Sequence, residues 1–258
     1  MNARTHDHVS LQRLEIKVAG DGIAASFCRP TGASAGIVFV HGWDGCKEQH
    51  AECIDEVVAN GFACLAFDLR GHQGTCELHD QVDRADNLRD LLRMYDWLAD
   101  QGIDRIGLIG VSYGAYLAAL ATEVRPVRWL VLRAPALYPD RGWHRPKDEL
   151  GELVDLRKYR EQVHAPEDSE SLAACAGFEG HALIVESGCD EVIPHPVILS
   201  YAQAFLSAKS MTCTTIDGAD HELSETRHRL AFARMVGDWL AAAIRDPDGA
   251  CPDESVVA

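Results

Sequence analysis

The chain has 258 residues, 47% of them hydrophobic and 25% charged, with 24 Lys and Arg against 40 Asp and Glu for a formal net charge of −16. A chain of this length buries a substantial core without metal or disulfide staples, as one large α/β domain or two small ones. The acidic balance, with no block of Lys and Arg to match a phosphate backbone, argues against nucleic acid or an anionic membrane as partner.

Nine cysteines (28, 46, 53, 64, 76, 175, 189, 213 and 251) form an odd set with no C-x-x-C pair, which speaks against a zinc ribbon or a dithiol redox motif. Several lie in apolar runs, such as Cys64 in FACLAF, where a reduced thiol acts as a small hydrophobe. The first residues, MNARTHDHVSLQ, carry no apolar signal core, and no run of about 18 apolar residues follows. The expectation is a reduced, cytoplasmic protein. His6, Asp7 and His8 could bind metal adventitiously, but they read as a terminal segment, and no metal or cofactor is expected.

In chain order, LQRLEIKVAGDGIAASFCRP holds two alternating stretches around Gly20-Asp21-Gly22, which predicts a hairpin. Residues 20–25 also fit G-x-G-x-x-A, but a strand and Pro30 follow where a dinucleotide fingerprint requires a helix. After Pro30, short runs rich in Val, Ile and Leu (36–40, 62–67, 105–110, 127–133, 181–186, 211–216) alternate with helical candidates near 48–60, 84–100, 113–123, 195–208 and 224–245. In 84–100, Leu88, Leu91, Leu92, Tyr95 and Leu98 recur at three-four spacing. Strands apolar on both faces, alternating with amphipathic helices, predict a single α/β domain: a doubly wound, mostly parallel sheet led by an antiparallel hairpin. Residues 138–180 break the rhythm, long, polar and without a strand, and are expected to form a small cap inserted between two sheet strands. The residues from about 247 to 258 read as a loose tail.

The chemistry centres on RIGLIGVSYGAYLAAL. Gly110-Val111-Ser112-Tyr113-Gly114 spells G-x-S-x-G between an expected strand and an Ala-rich helix, the context this motif requires. A nucleophile on a sharp turn needs flanking residues without bulk, and the helix N-terminus behind it faces developing negative charge. A serine hydroxyl needs a base to take its proton. His221, in DGADHELSE after the last strand, fits that role better than His41, His72, His144 or His195, none of which follows the final strand. Asp190, in HALIVESGCDEVIP, follows the preceding strand and suits the carboxylate that orients the histidine. Glu191 is its neighbour and rival; Asp217 and Asp220 are too close to His221 along the chain. The order Ser, Asp, His places all three at carboxyl ends of parallel strands. An oxyanion would be held by the backbone N–H of Tyr113 and by one from the loop GIVFVHGWDGCKEQ, with Trp43 the candidate and His41 a structural hydrogen-bonder. Trp43, Tyr113, Trp143 and His144 could line an acyl or aryl pocket.

Taken together, V-H-G-W-D-G, F-D-L-R-G-H, G-V-S-Y-G, G-C-D-E-V-I-P and G-A-D-H resemble the α/β-hydrolase superfamily over residues 20–245. Within it the chain looks like the compact esterase and serine-peptidase-like branch that includes cinnamoyl (feruloyl) esterases and dienelactone-hydrolase-like proteins. The resemblance implies Ser112, Asp190 and His221 as a triad, with the Trp43 and Tyr113 amides as oxyanion donors. It departs at D-x-R-G-x-G-x-S, which here reads Asp68-Leu69-Arg70-Gly71-His72-Gln73-Gly74-Thr75, one residue longer before the second glycine. The expected activity is hydrolysis of a small-molecule carboxylic ester through an acyl-enzyme, without a cofactor. A peptidase, thioesterase or acyltransferase could use the same residues, and a non-catalytic binding protein could keep the pocket. There is no G-x-x-x-x-G-K-[ST] and no H-E-x-x-H.

Overall fold

The computed structural model describes residues 10–18 and 21–245. Among them, eight strands form one sheet: β1 (Ser10–Val18), β2 (Asp21–Arg29), β3 (Ala35–Val40), β4 (Ala63–Phe67), β5 (Arg105–Val111), β6 (Trp129–Arg133), β7 (His181–Ser187) and β8 (Ser210–Ile216). Their order is β1-β2-β4-β3-β5-β6-β7-β8. β1 pairs with β2, and β2 with β4, antiparallel; every pairing from β4 to β8 is parallel. The expected hairpin is the β1–β2 ladder, with Val18 opposite Asp21. Its turn, residues 19–20, lies outside the described residues, as do His6, Asp7 and His8 and the segment 247–258. Because residues 21–25 belong to a strand, they cannot form the helix that a dinucleotide fingerprint needs.

The helices are α1 (Ala51–Ala59), α2 (Arg84–Asp100), α3 (Tyr113–Val124), α4 (Leu150–Leu153), α5 (Leu156–Arg160), α6 (Glu170–Gly177), α7 (His195–Ala204) and α8 (Thr226–Arg245). Successive strand residues point to opposite faces, so the central strands must be apolar on both. In β3, Ile37 and Phe39 join a core with Val57 of α1 and Phe232, Val236 and Leu240 of α8. Val38 and Val40 join the other core, with Leu91 and Leu98 of α2 and Leu117 of α3. β8 is an edge strand and is mostly exposed, with Met211 at 38%. Its Ser and Thr content suits a strand covered less completely than its neighbours.

The helix α2 starts where Asp83 caps it, its side chain accepting from Asp86 N at 2.7 Å. Its inward face runs through Arg84, Asn87, Leu91, Met94 and Leu98, so the expected leucine stripe is rotated: Leu88 and Leu92 are only half-buried. The reason lies at the first turn, which covers polar loops at the sheet's carboxyl edge. Arg84, fully buried, donates there to Tyr116 Oη (3.1 Å), Pro139 O (2.8 Å) and Arg141 O (2.9 Å). It thereby fixes the start of segment 138–180. That segment holds α4, α5, α6 and two 3-10 turns, and its last helix, α6, packs against α3.

Leu98 is fully buried in the core between α2 and the sheet. Leu98→Ala is expected to cost about 2–5 kcal/mol through lost transfer energy and a residual cavity. Urea unfolding, read as a lower midpoint at unchanged slope, measures it.

Candidate active site

At the sheet's centre β3 lies between β4 and β5, so the chain leaves β3 towards one neighbour and returns past it to the other. The loops at the carboxyl ends of β3 and β5 diverge there, at the topological switch point where open α/β sheets bind ligands. Ser112 stands at it, between β5 and α3, with φ 52° and ψ −114°. Such a conformation in a non-glycine residue costs about 1–3 kcal/mol and persists only where its surroundings dictate it. They do so here. Ser112 N donates to Arg133 O of β6 (2.9 Å), and Ser112 O accepts from Ala136 N (3.0 Å) and from Ala115 N and Tyr116 N of its own helix.

The two glycines of the motif are steric requirements. A Cβ on Gly110 would lie 2.5 Å from Ala115 Cα, and one on Gly114 would lie 2.3 Å from Val40 O and 2.4 Å from His41 O. All of these neighbours are backbone atoms, so none can rotate away.

The loops after β7 and β8 are tied together by Gly188 N to Ile216 O (3.0 Å) and Cys189 N to Ala219 O (2.8 Å). They bring Asp190 and His221 beside Ser112. Ser112 Oγ donates to His221 Nε2 at 3.0 Å, and His221 Nδ1 donates to Asp190 Oδ2 at 2.7 Å. Asp190 Oδ1 accepts from the Val192 and Ile193 amides, both at 2.8 Å. Burial pulls the Asp190 carboxyl upward, but the His221 hydrogen bond and these two amides outweigh it and hold the pKa below the ordinary value. The rivals have other surroundings. Glu191 is exposed, and Asp220 accepts from Ser224 N (2.8 Å). His195 is 61% exposed and paired with Glu186 at 2.7 Å.

His41 and His72 serve the loop that follows β3. His41 Nε2 accepts from Leu69 N (2.9 Å), and its Nδ1 donates to Gly42 O (2.6 Å). His72 Nε2 accepts from Asp44 N (3.0 Å), and Asp68 takes both the amide and the ammonium of Lys47, at 2.9 and 2.6 Å. Gly45 N closes the turn onto Gly42 O. These bonds use the amides around Trp43 and leave its own N–H out of them. The Tyr113 N–H, at the first position of α3, has no intrahelical acceptor by helix geometry. The extra residue in the 68–75 stretch is absorbed by Gln73, which adopts a left-handed φ of 47°.

Two partners of the site were not legible as such in the sequence. Arg133, buried at the end of β6, donates to His221 O (2.5 Å) and Ser187 Oγ (3.1 Å) and so holds both histidine and aspartate loops. Asn87 Nδ2 donates to Arg70 O, and its Oδ1 accepts from Tyr113 Oη, both at 3.1 Å. A strand-end arginine and a mid-helix asparagine carry no motif, so nothing in their spacing announces them.

The aromatic candidates separate. Trp43 and Tyr113 meet edge-on, with ring centroids 5.3 Å apart. Trp143 and His144 do not join them. Trp143 lies under the Arg84 guanidinium, 5.3 Å from its ring centroid, and lines a groove with Leu88, Leu120, Val124 and Ala174 between α2, α3 and α6. His144 is 77% exposed, 3.4 Å from Asp83. The residue of this segment that does reach Trp43 is Lys147, whose Nζ stands 4.3 Å from the ring centroid. Trp143 is thus held on the Arg84 side of α2, His144 faces outward, and Lys147 lies at the Trp43 ring.

A family model described as the alpha/beta hydrolase family matches residues 37–235. The chain belongs to the alpha/beta hydrolase family. No curated protein gives a significant match to this family member. Solved structures of the same fold include a dienelactone hydrolase from Anabaena variabilis (19% identity, TM-score 0.68, covering 92% of this chain and 99% of that one). Est1E from Butyrivibrio proteoclasticus, solved with ferulic acid bound, is 16% identical with a TM-score of 0.71, covering 90% and 99%. An esterase from Pyrococcus furiosus is 18% identical with a TM-score of 0.67, covering 95% of each chain. No helix among the described residues is long and apolar enough to cross a membrane.

Burial drives the His41 pKa down from 6.5 to about 4, against the pull of the Gly42 carbonyl. Between those values the unfolded chain takes up a proton that the folded chain refuses, so stability contributed by neutral His41 is full above pH 6.5 and lost as pH falls towards 4. His41→Gln removes this term. The fall in unfolding free energy from pH 7 to pH 5, measured with urea, is expected to be about 2 kcal/mol smaller in that variant than in the parent.

Proposed function

We propose that this member of the alpha/beta hydrolase family is a serine hydrolase that cleaves carboxylic esters through an acyl-enzyme, with Ser112 as nucleophile, His221 as general base and acid, and Asp190 as the carboxylate that orients the histidine. The observation that carries the reading is the unbroken hydrogen-bond chain from Asp190 Oδ2 through the His221 ring to Ser112 Oγ, at 2.7 and 3.0 Å. Asp190 accepts from Nδ1, which leaves Nε2 as the unprotonated nitrogen facing the hydroxyl.

Ser112 Oγ attacks the ester carbonyl as its proton passes to His221 Nε2. The Asp190 carboxylate stabilises the imidazolium without taking its proton. Oxygen of the tetrahedral intermediate receives the Trp43 and Tyr113 amides, aided by the N-terminal end of α3. His221 then protonates the departing alcohol. A water enters, gives its proton to the same nitrogen and attacks the acyl carbonyl, and collapse releases the carboxylic acid with the proton returned to Ser112. No step calls for a cofactor. The esterase names of structural relatives favour an ester over an amide or thioester substrate, and a small-molecule ester suits a site at the switch point of the sheet.

Purified protein is expected to hydrolyse p-nitrophenyl butyrate and to take up one fluorophosphonate label, seen by mass spectrometry on the Ser112 peptide. Ser112→Ala is expected to lower kcat by at least about 1,000-fold and to abolish labelling. Equal turnover by parent and variant would defeat the assignment.

A further inference from the structure

The molecule carries 24 basic against 40 acidic side chains, so a half-buried cation set against aromatic rings and not against an acid needs a reason. Lys147 and Arg160, both from segment 138–180, are placed in this way. Lys147 Nζ stands 4.3 Å from the Trp43 ring centroid and 5.8 Å from that of Tyr113. The Arg160 guanidinium stands 4.9 Å from the ring centroid of Tyr138, and its Nε donates to Leu137 O at 3.2 Å. Neither cation has a carboxylate oxygen within 4.0 Å among the described residues.

The acids nearest to Lys147 are committed elsewhere. Asp44 and Asp148 both grip His79, at 3.1 and 3.0 Å. Burial works against a proton on His79, yet those carboxylates and Asp80 raise its pKa above the ordinary value, which keeps them occupied. Burial likewise brings the Lys147 pKa down to about 8, against the pull of Asp148 and Asp44 and with the help of Arg160. The two cations share one aromatic neighbourhood, since Lys147 lies 5.8 Å from the Tyr113 ring, Arg160 lies 4.9 Å from that of Tyr138, and those rings are 6.0 Å apart.

Their floor belongs to the proposed site. Trp43 follows Gly42 in the oxyanion loop, Tyr113 follows Ser112, and Tyr138 packs edge-on against Tyr113 at 6.0 Å. Leu137, which holds Arg160, follows Ala136, whose amide donates to Ser112 O. A partly dehydrated ammonium and guanidinium facing aromatic rings bind an anion strongly, and a cation–π contact alone does not replace the lost hydration.

Resting on the serine-hydrolase reading above, we infer that the substrate is an ester carrying a second, anionic group, a carboxylate, which Lys147 and Arg160 receive over the Trp43–Tyr113–Tyr138 floor while Ser112 meets the ester carbonyl. Lys147 and Arg160 are then specificity residues, contributed by the segment between β6 and β7.

Paired substrates test this. Mono-p-nitrophenyl glutarate and p-nitrophenyl butyrate place or omit a carboxylate on the acyl side; 4-acetoxybenzoate and phenyl acetate do so on the alcohol side. In at least one pair the parent is expected to favour the anionic member in kcat/KM, after correction for the intrinsic alkaline hydrolysis rates. In Lys147→Met/Arg160→Met, the anionic-to-neutral ratio for that pair is expected to fall about 10- to 100-fold, the size of a lost charged hydrogen bond. Because each ratio is taken on one preparation, a partly folded variant does not distort it. A parent that favours the neutral member in both pairs, or a ratio unchanged in the double variant, overturns the inference. If Ser112→Ala turns over all four esters like the parent, the serine-hydrolase reading fails instead, and the two failures are told apart.

Discussion

The first turn of α3 packs directly on the end of β3, where Gly114 lies against the carbonyls of Val40 and His41 with no room for a methyl group. Everything at the carboxyl edge of the sheet depends on that contact. It forces the chain to leave β5 through the positive φ of Ser112, which presents the hydroxyl outward while the helix N-terminus lies behind it. It also sets the Trp43 loop against the elbow, since β3 and β5 are neighbours in register. The strain of the elbow is local, and bonds from the adjacent β6 and the loop after it hold it in place.

Around that contact the loops are held by polar groups buried for the purpose. His41, His72 and Asp68 fasten the loop after β3 to the loop after β4. Arg133 fastens the loops after β6, β7 and β8. Each of these groups would be expensive to bury unpaired, so each bond, once made, narrows the positions its loop can take. The effect is a rigid rim on which Ser112, His221 and Asp190 keep hydrogen-bonding distances. Lys147 and Arg160 differ from this pattern: they are partly buried cations held against rings, with no carboxylate of the described residues within 4.0 Å.

Local pattern carried much of the fold. The alternation of apolar runs with amphipathic stretches marked every strand of the parallel sheet, and 84–100 coincides with α2. The elbow was legible because its constraint is steric and local: two glycines around a serine between a strand and a helix. His221 and Asp190 were legible because a parallel sheet brings strand ends to one edge, so position after a strand stands in for position in space. Trp143 and His144 follow no strand end, so that logic does not reach them. They could line a pocket with Trp43 and Tyr113 by residue type, whereas Trp143 packs against Arg84, His144 is exposed, and it is Lys147 that meets the Trp43 ring.

The sequence by itself therefore determined the class of fold, the elbow and the order of the three polar residues at strand ends, because each follows from periodicity or from contacts a few residues apart. Only the tertiary structure decided which buried polar side chains hold the rim and which cations lie against the rings beside the elbow. Those choices rest on contacts between residues as distant as Arg133 and His221, 88 positions apart, and an arginine that will be buried is written with the same letter as one that will face water.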